Sequence, residues 1–353
     1  MESFGISIII CVHNGASRII PTLKALSEQN IPSGISCELL IIDNGSTDST
    51  GKVAFNYWNS IGSPFPLTIL IEPKTGKANA LVLGYNEAKY ELLLLCDDDN
   101  WLQPDYCRTV FDLFTTYPEI GLLGGYGKAL FETGEKPEWF DTWEQCYFCG
   151  KHHTRNGFLA PGNFSIWGAG SVLRKTMWKF LRSNGFRFYN STSGGKAITE
   201  DAELSIIITF TGHQLYFDDR LWFIHDLRGG RITWENLLAQ QILNGKANAI
   251  LYMYQLACDQ ISNSSSPVNY LFVKKILGLV WHLCTSVLKW QNRPKWIFFY
   301  HILKELISNT KKYKKLSLES IDWIKKIRGT FPLATETGLA GLKNLYANHI
   351  DEK

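Results

Sequence analysis

The first hundred residues alternate between two hydrophobic periods. Residues 7–12 ("SIIICV") and 37–43 ("CELLIID") are continuous apolar runs rich in branched side chains, the pattern of short strands buried on both faces. Residues 17–29 ("SRIIPTLKALSEQ") and 49–59 ("STGKVAFNYWN") instead space their apolar positions three and four apart, as one face of a helix does. Residues 67–73 ("LTILIEP"), 77–89 ("KANALVLGYNEAK") and 90–99 ("YELLLLCDDD") continue as strand, helix and strand. This alternation predicts an α/β fold with a mostly parallel sheet covered by helices. Ligands of such sheets bind beyond the carboxyl ends of the strands.

Polar residues collect at those ends. His13, Asn14 and Gly15 follow the first strand, Asp43 to Asp48 the second, Lys74 to Asn79 the third and Asp97 to Asn100 the fourth. Any surface loop is polar, which accounts for each cluster singly; four with this chemistry on one sheet edge point to a ligand. Adjacent carboxylates repel, so Asp97, Asp98 and Asp99 mark either a solvated turn or a place where a cation is held.

From about residue 130 to 235 the pattern loosens into glycine-rich and aromatic sequence. Within it, residues 198–225 ("ITEDAELSIIITFTGHQLYFDDRLWFIH") read as a helix with an acidic start, a glycine stop and a strand. Thr199 is placed as the helix N-cap, so the acids behind it have a purely structural reading as well as a catalytic one. Beyond 235 the chain reads as helical, broken at "SNSSSP" (262–267). No internal repeat is evident.

The chain has 353 residues, 45% hydrophobic and 13% aromatic, enough for a substantial core and against global disorder. Its net charge of +3 hides an asymmetry: residues 270–328 carry 13 Lys and Arg against 3 Asp and Glu, a local +10 that leaves −7 for the remainder. Such a basic segment suggests a partner of its own. The eight cysteines are scattered through apolar runs, as expected of reduced thiols in the cytoplasm. The first residues lack the basic and small-residue features of a signal peptide.

Four nucleotide or metal motifs fall short on spacing. "CVHNGAS" has one glycine where a dinucleotide fingerprint needs three, and no P-loop is present. In "DNGSTDSTG" the acid required at the twelfth position of a calcium loop falls on Ala54. "CYFCGKHH" (146–153) pairs a Cys-x-x-Cys with adjacent histidines, but a closed zinc site needs a second well-spaced ligand pair. What remains is a sheet edge with carboxylates after the second and fourth strands and a lysine-bearing loop after the third, where a nucleoside diphosphate is one ligand to consider. This ligand needs an acceptor for a base N–H, groups for the ribose and a divalent cation on the diphosphate. Asp43 can supply the first and Asp97 to Asp99 the others, since Mg²⁺ or Mn²⁺ takes one or two carboxylates plus phosphate oxygens.

The segments "SIIICVHNG", "LLIIDNGSTDST", "GKANALVLGYNEA", "LLLLCDDDNWLQPDY" and "TEDAELS", in this order, resemble the inverting glycosyltransferases of family 2 over roughly residues 5–235. "EWFDTWEQCYFCG" and "WGAGSVLRK" further resemble a branch that builds bacterial surface polysaccharides. The resemblance implies a GT-A fold: a mixed, mostly parallel Rossmann-like sheet flanked by helices. The expected domains are 1–235, with a nucleotide-sugar half to about 130 and an acceptor half from 131, followed by a helical basic region at 236–353.

By position the resemblance sets Asp43 at the nucleotide base, with His13, Asn14 and Lys77 near base and ribose. Asp97 and Asp99 match the family's D-x-D, Asp99 as main metal ligand and Asp97 by the ribose or metal. Asp98, Trp167, Gly168 and Arg231 join the nucleotide-sugar site. Asp201 would be the general base of a single inverting displacement, with Glu200 beside it. His225 is read as a further metal ligand or as packing, and Arg228 and Arg231 as cations for the diphosphate. Trp139, Trp143 and Tyr147 are read as stacking on sugars or as core.

The implied partners are a nucleotide-diphospho-sugar, a UDP-sugar favoured, and a glycan or lipid-linked acceptor; Asp43 suits uracil or thymine N3–H and leaves guanine open, and the implied cofactor is Mn²⁺ or Mg²⁺. In the basic region, "ILGLVWHLCTSVL" (276–288) and "WIFFYHIL" (296–303) are too short to span a bilayer. They suit peripheral contact with an anionic membrane at its inner face, or a helical subdomain packed on the rest. Acidic loops at the sheet edge argue against nucleic acid as the tail's partner. Nucleotidyl or retaining sugar transfer on the same fold is the other alternative.

Overall fold

The two periods of the first hundred residues are realised as strands β1 (Gly5–Val12), β2 (Ser36–Asp43), β3 (Leu67–Ile71) and β4 (Leu92–Leu95), joined by helices α1 (Ile19–Ser27), α2 (Thr50–Ser60) and α3 (Lys77–Glu87). The strands lie in the order β3-β2-β1-β4, all parallel. The computed structural model describes residues 5–131, 135–160, 166–189, 199–228, 230–262, 267–286 and 292–328.

The uninterrupted apolar strands follow from burial on both faces. Ile6, Ile8, Ile10 and Val12 pack with Leu23 and Leu26 of α1 and Trp58 of α2. On the other face α3 approaches closely: a Cβ on its Gly84 would stand 2.6 Å from Cγ2 of Ile9. Register is tight at the carboxyl ends, where Val12 pairs with Asp43 and Asp43 with Ile71. All four predicted polar clusters therefore leave the sheet on one edge.

The sheet continues beyond β4 as a mixed half. β8 (Val172–Arg174) is antiparallel to β4, and β6 (Ile120–Leu130) antiparallel to β8. The long β9 (Gln214–Asp226) runs parallel to β6 and carries β5 (Asn100–Leu102) and β7 (Gly157–Phe158) antiparallel on its free side. The pairing of β5 with the end of β9 sets Asn100 opposite His225 and so brings His225 beside the aspartates. Among the described residues this makes a nine-stranded sheet, with α4 (Tyr106–Thr116), the short α5 (Phe140–Trp143) and α6 (Lys175–Ser183) around it.

By its internal contacts the chain divides into two units. The first comprises residues 1–158, 165–194 and 214–231, the second residues 159–164, 195–213 and 232–353. The segment bearing Glu200 and Asp201 thus groups with the later helices rather than with the sheet.

The second unit holds α7 (Glu200–Thr209), α8 (Trp234–Ser262), α9 (Val268–Ser286), α10 (Arg293–Ser308) and α11 (Thr310–Arg328). Leu204, Ile206, Ile207 and Ile208 bury α7 on most of its circumference, and Tyr254 of α8 donates to the buried Glu203 at 3.2 Å. A buried pair, Lys275 to Asp259 at 3.4 Å, ties α9 to α8. No helix among the described residues is long and apolar enough to cross a membrane. Of the break at 262–267, residues 263–266 lie outside the described residues.

β6 and β9 shift register between Gly124 and Tyr126, where a Cβ on Gly125 would overlap the carbonyl of Leu221. Gly125→Ala must push the strands apart and is expected to cost about 2 kcal/mol or more in denaturant unfolding. An unchanged unfolding midpoint would contradict this close approach.

Candidate active site

The site is built from the ends of β1, β2 and β4 and the far end of β9. After β1 the chain turns through Asn14, whose φ of 50° lies in the left-handed region that asparagine tolerates. Its side-chain oxygen accepts from the backbone of Thr47 at 2.8 Å, while its own N–H donates to Ser46 Oγ at 3.0 Å. The His13 ring lies 2.9 Å from the carbonyl of Asn44. Asp43, half-buried at the end of β2, accepts the N–H of Ser46 with Oδ1 at 2.9 Å. These bonds join the first two loops into one frame.

Asn44 extends that frame to the third loop. Buried, it donates to the carbonyls of Glu72 and Lys74 at 3.0 and 2.8 Å and accepts the N–H of Gly76 at 2.7 Å. This holds the entry to α3, where Lys77 begins the helix.

Each aspartate after β4 meets a cation from a different element. Lys77 Nζ lies 2.6 Å from Asp97, Arg18 Nε 2.7 Å from Asp98, and Arg231 Nη1 2.5 Å from Asp99. The packing is close enough that a Cβ on Gly15 would stand 2.5 Å from an Asp98 oxygen. The neighbours are nevertheless poised differently. Burial and the charge of Asp99 push the Asp98 carboxyl up to about 6, against the pull of Arg18. Burial acts the same way on Asp99, but the His225 ring and the Arg231 guanidinium outweigh it and hold that carboxyl well below the ordinary range.

His225 is buried, and its Nδ1 lies 2.8 Å from the carbonyl of Tyr147. A carbonyl can only accept, so Nδ1 carries a proton toward it, and Nε2 faces Asp99 Oδ1 3.6 Å away. Among the described residues no group of three or more His, Cys, Asp or Glu side chains could hold a metal ion; Asp99 and His225 are a pair, 3.6 Å apart, which would need phosphate oxygens to complete the shell of a cation.

Residues 7–179 match the model of the family described as "Glycosyl transferase family 2". The chain carries a glycosyl transferase family 2 domain. A poly-beta-1,6-N-acetyl-D-glucosamine synthase of Staphylococcus epidermidis is 27% identical over 121 residues, 34% of this chain; the chain spans only 28% of that relative's length. Two solved structures share the fold. S. aureus TarS 1-349 in complex with UDP-GlcNAc aligns over 99% of this chain and 93% of its own, with 14% identity and a TM-score of 0.54. The mannosyltransferase PcManGT from Pyrobaculum calidifontis, in complex with GDP-Man and Mn2+, aligns over 97% and 87%, with 17% identity and a TM-score of 0.51. The fold is accordingly of GT-A type, a mixed, mostly parallel sheet with flanking helices.

The first unit gathers His13, Asn14, Asp43, Lys77, Asp97, Asp98, Asp99, His225 and Arg231 through the contacts above. Trp167 and Gly168 stand in the loop before β8, which lies along the end of β4 through Gly170 N to Leu95 O at 2.9 Å. The Trp167 ring stacks on His152, centroids 3.9 Å apart. Tyr147 is buried and stacked with Phe140, which favours the core reading for it, whereas Trp139 and Trp143 are half-buried. Arg228 forks onto Asp226 at 2.7 and 2.6 Å.

Glu200 and Asp201 are not among the residues gathered in the first unit. They open α7 in the second, with Thr199 at the N-cap position but its hydroxyl toward Glu203 at 3.4 Å rather than capping a backbone N–H, and with Asp201 half-buried and accepting the N–H of Ala202 at 2.7 Å. Sequence reasoning missed Arg18, Asn44 and the carbonyl of Tyr147. Asn44, directly after a strand and before a glycine, carried a readable turn signal; Arg18 and Tyr147 carried none.

The paired shifts predict a pH dependence for the metal-free protein. Asp98 has an ordinary value of 3.8 and a native value of about 6, so the native state holds its proton more tightly than the unfolded chain. The associated stability is complete below this window and is lost as the pH rises through it. Relative to wild type, Asp98→Asn should therefore gain stability across the window, by about 3 kcal/mol at most. Denaturant unfolding with chelator present measures this, and a difference flat with pH would refute it.

Proposed function

We propose that the chain is a metal-dependent inverting glycosyltransferase that moves a sugar from a UDP-sugar to a hydroxyl of a glycan or lipid-linked acceptor during synthesis of a surface polysaccharide. One observation carries the reading: Asp43, Lys77, Asp97, Asp99, His225 and Arg231 converge at the carboxyl edge of the sheet, where α/β folds bind ligands. The polysaccharide role is supported by the synthase among the relatives. The donor class is supported by TarS and PcManGT, whose structures hold UDP-GlcNAc and GDP-Man.

In this reading Asp43 accepts from the base through the oxygen not held by Ser46, and the loop of His13 and Asn14 walls the base and ribose. Asp99 and His225 would hold the divalent cation, with Asp97 by the ribose or in the metal's outer shell. When bound, Mn²⁺ or Mg²⁺ supplies positive charge against the departing diphosphate. Arg231 and Lys77 add fixed cations nearby, and Arg231 spends no reorganisation because Asp99 already orients it. Asp201 takes the proton of the acceptor hydroxyl as its oxygen bonds to the anomeric carbon and the bond to the diphosphate oxygen breaks, and Glu200 sets the charge beside it. The enzyme would work in the cytoplasm, at the inner face of the membrane.

Calorimetric titration with UDP, GDP and dTDP, each with and without Mn²⁺, tests the donor half. UDP binding is expected to need the metal and to weaken at least about tenfold in Asp99→Ala. Asp201→Asn tests the other half: UDP release from UDP-sugar should fall about 10²-fold to 10⁴-fold with nucleotide affinity unchanged. Absence of nucleotide binding under every metal condition would remove the basis of the reading.

A further inference from the structure

Helix α9 is apolar on two opposite sides. Leu271, Phe272 and Leu279 are buried on one, where Lys275 is drawn in to Asp259. The other side also carries large apolar groups, in solvent: Tyr270 is 60% exposed, Val273 54%, Leu277 63%, Val280 40% and Trp281 69%, with the thiol of Cys284 exposed as well. At the helical repeat these side chains fall within a stripe about 100° wide and roughly 20 Å long. A surface helix ordinarily gives that face to charged residues, yet the only charged residue of α9 on it is Lys274. An outward stripe of this size marks a surface that something covers.

We propose that the outward face of α9 docks on the surface of an anionic lipid bilayer. This deepens the membrane part of the preceding reading and depends on none of its chemistry. Charge decides the occupant. Residues 270–328 carry +10 while the rest of the chain carries −7, and Arg293, Lys295, Lys304, Lys311, Lys312 and Lys315 of α10 and α11 are exposed. A second copy would bring the same positive segment against itself, whereas anionic headgroups attract it. The stripe begins with Tyr270 and has Trp281 near its other end, ring types that settle at the headgroup level while Leu277 enters the acyl boundary. The helix lies in the interface rather than crossing it, in keeping with its length and hydropathy.

The test is sedimentation of the full chain with vesicles of phosphatidylglycerol and phosphatidylcholine, against vesicles of phosphatidylcholine alone. The protein is expected to sediment with the anionic vesicles and to be released by salt. Leu277→Asp/Trp281→Asp should lower partitioning at least about tenfold, and Val273→Asp by less. Circular dichroism and thermal melting confirm that the variants fold, which surface positions permit. Equal binding to both vesicle types, retention by the double variant, or no binding at all would overturn the proposal. A wild-type dimer in light scattering that the double variant abolishes would also overturn it, assigning the stripe to self-association. None of these readouts involves nucleotide, so loss of the transferase reading leaves the outcome interpretable.

Discussion

Three carboxylates in succession at the end of a buried strand repel one another, and the first unit is organised around offsetting that repulsion. Lys77 arrives from the start of α3, Arg18 from the turn before α1 and Arg231 from the chain beyond β9, each within 2.7 Å of its own aspartate. No two of these cations are close in sequence, so the cluster is tolerated only when the sheet has brought three separate connections to one edge. The cost of desolvating three charges there is met by three opposite charges already oriented. The same arrangement makes Asp98 a weaker acid than usual and Asp99 a stronger one, giving neighbouring residues different chemical characters.

The mixed half of the sheet serves this edge. β5 begins immediately after Asp99 and pairs with the end of β9, so the aspartates and His225 are adjacent through a backbone ladder rather than through loops. The carbonyl of Tyr147 then accepts from the ring's Nδ1, and Asp226 N donates to the Asp99 carbonyl at 2.9 Å. A pair of side chains so supported loses little entropy on taking up a ligand. Asn44 acts comparably for the opposite wall, since one buried amide spans two loops.

In the helical unit the distribution of apolar surface is less usual than its amount. α7 buries its isoleucines and its Glu203 together, the carboxylate accepting from Tyr254, as a helix apolar nearly all round must. α9 is apolar all round too but covered on one side only, and the uncovered side belongs to the most basic part of the chain. A charged face would have sufficed for solubility, so this surface is spent on contact.

Much of this was legible in the residues themselves. Unbroken apolar runs separated by helical periods specified a parallel sheet, because only strands buried on both faces can be apolar at every position. The polar clusters at strand ends followed with their common edge, and Asp43 and the cluster Asp97 to Asp99 could be singled out by chemistry. Other features have no local signature. Nothing near Arg18 or Arg231 indicates which aspartate each will meet, since pairing across 80 and 132 positions of chain depends on strand order. Nor does the apolar run of α9 disclose which side is covered. Local propensity and hydrophobic period determined the elements and their faces; only the tertiary structure decided which charges face one another, because electrostatic partners are chosen by distance in space and not by position along the chain.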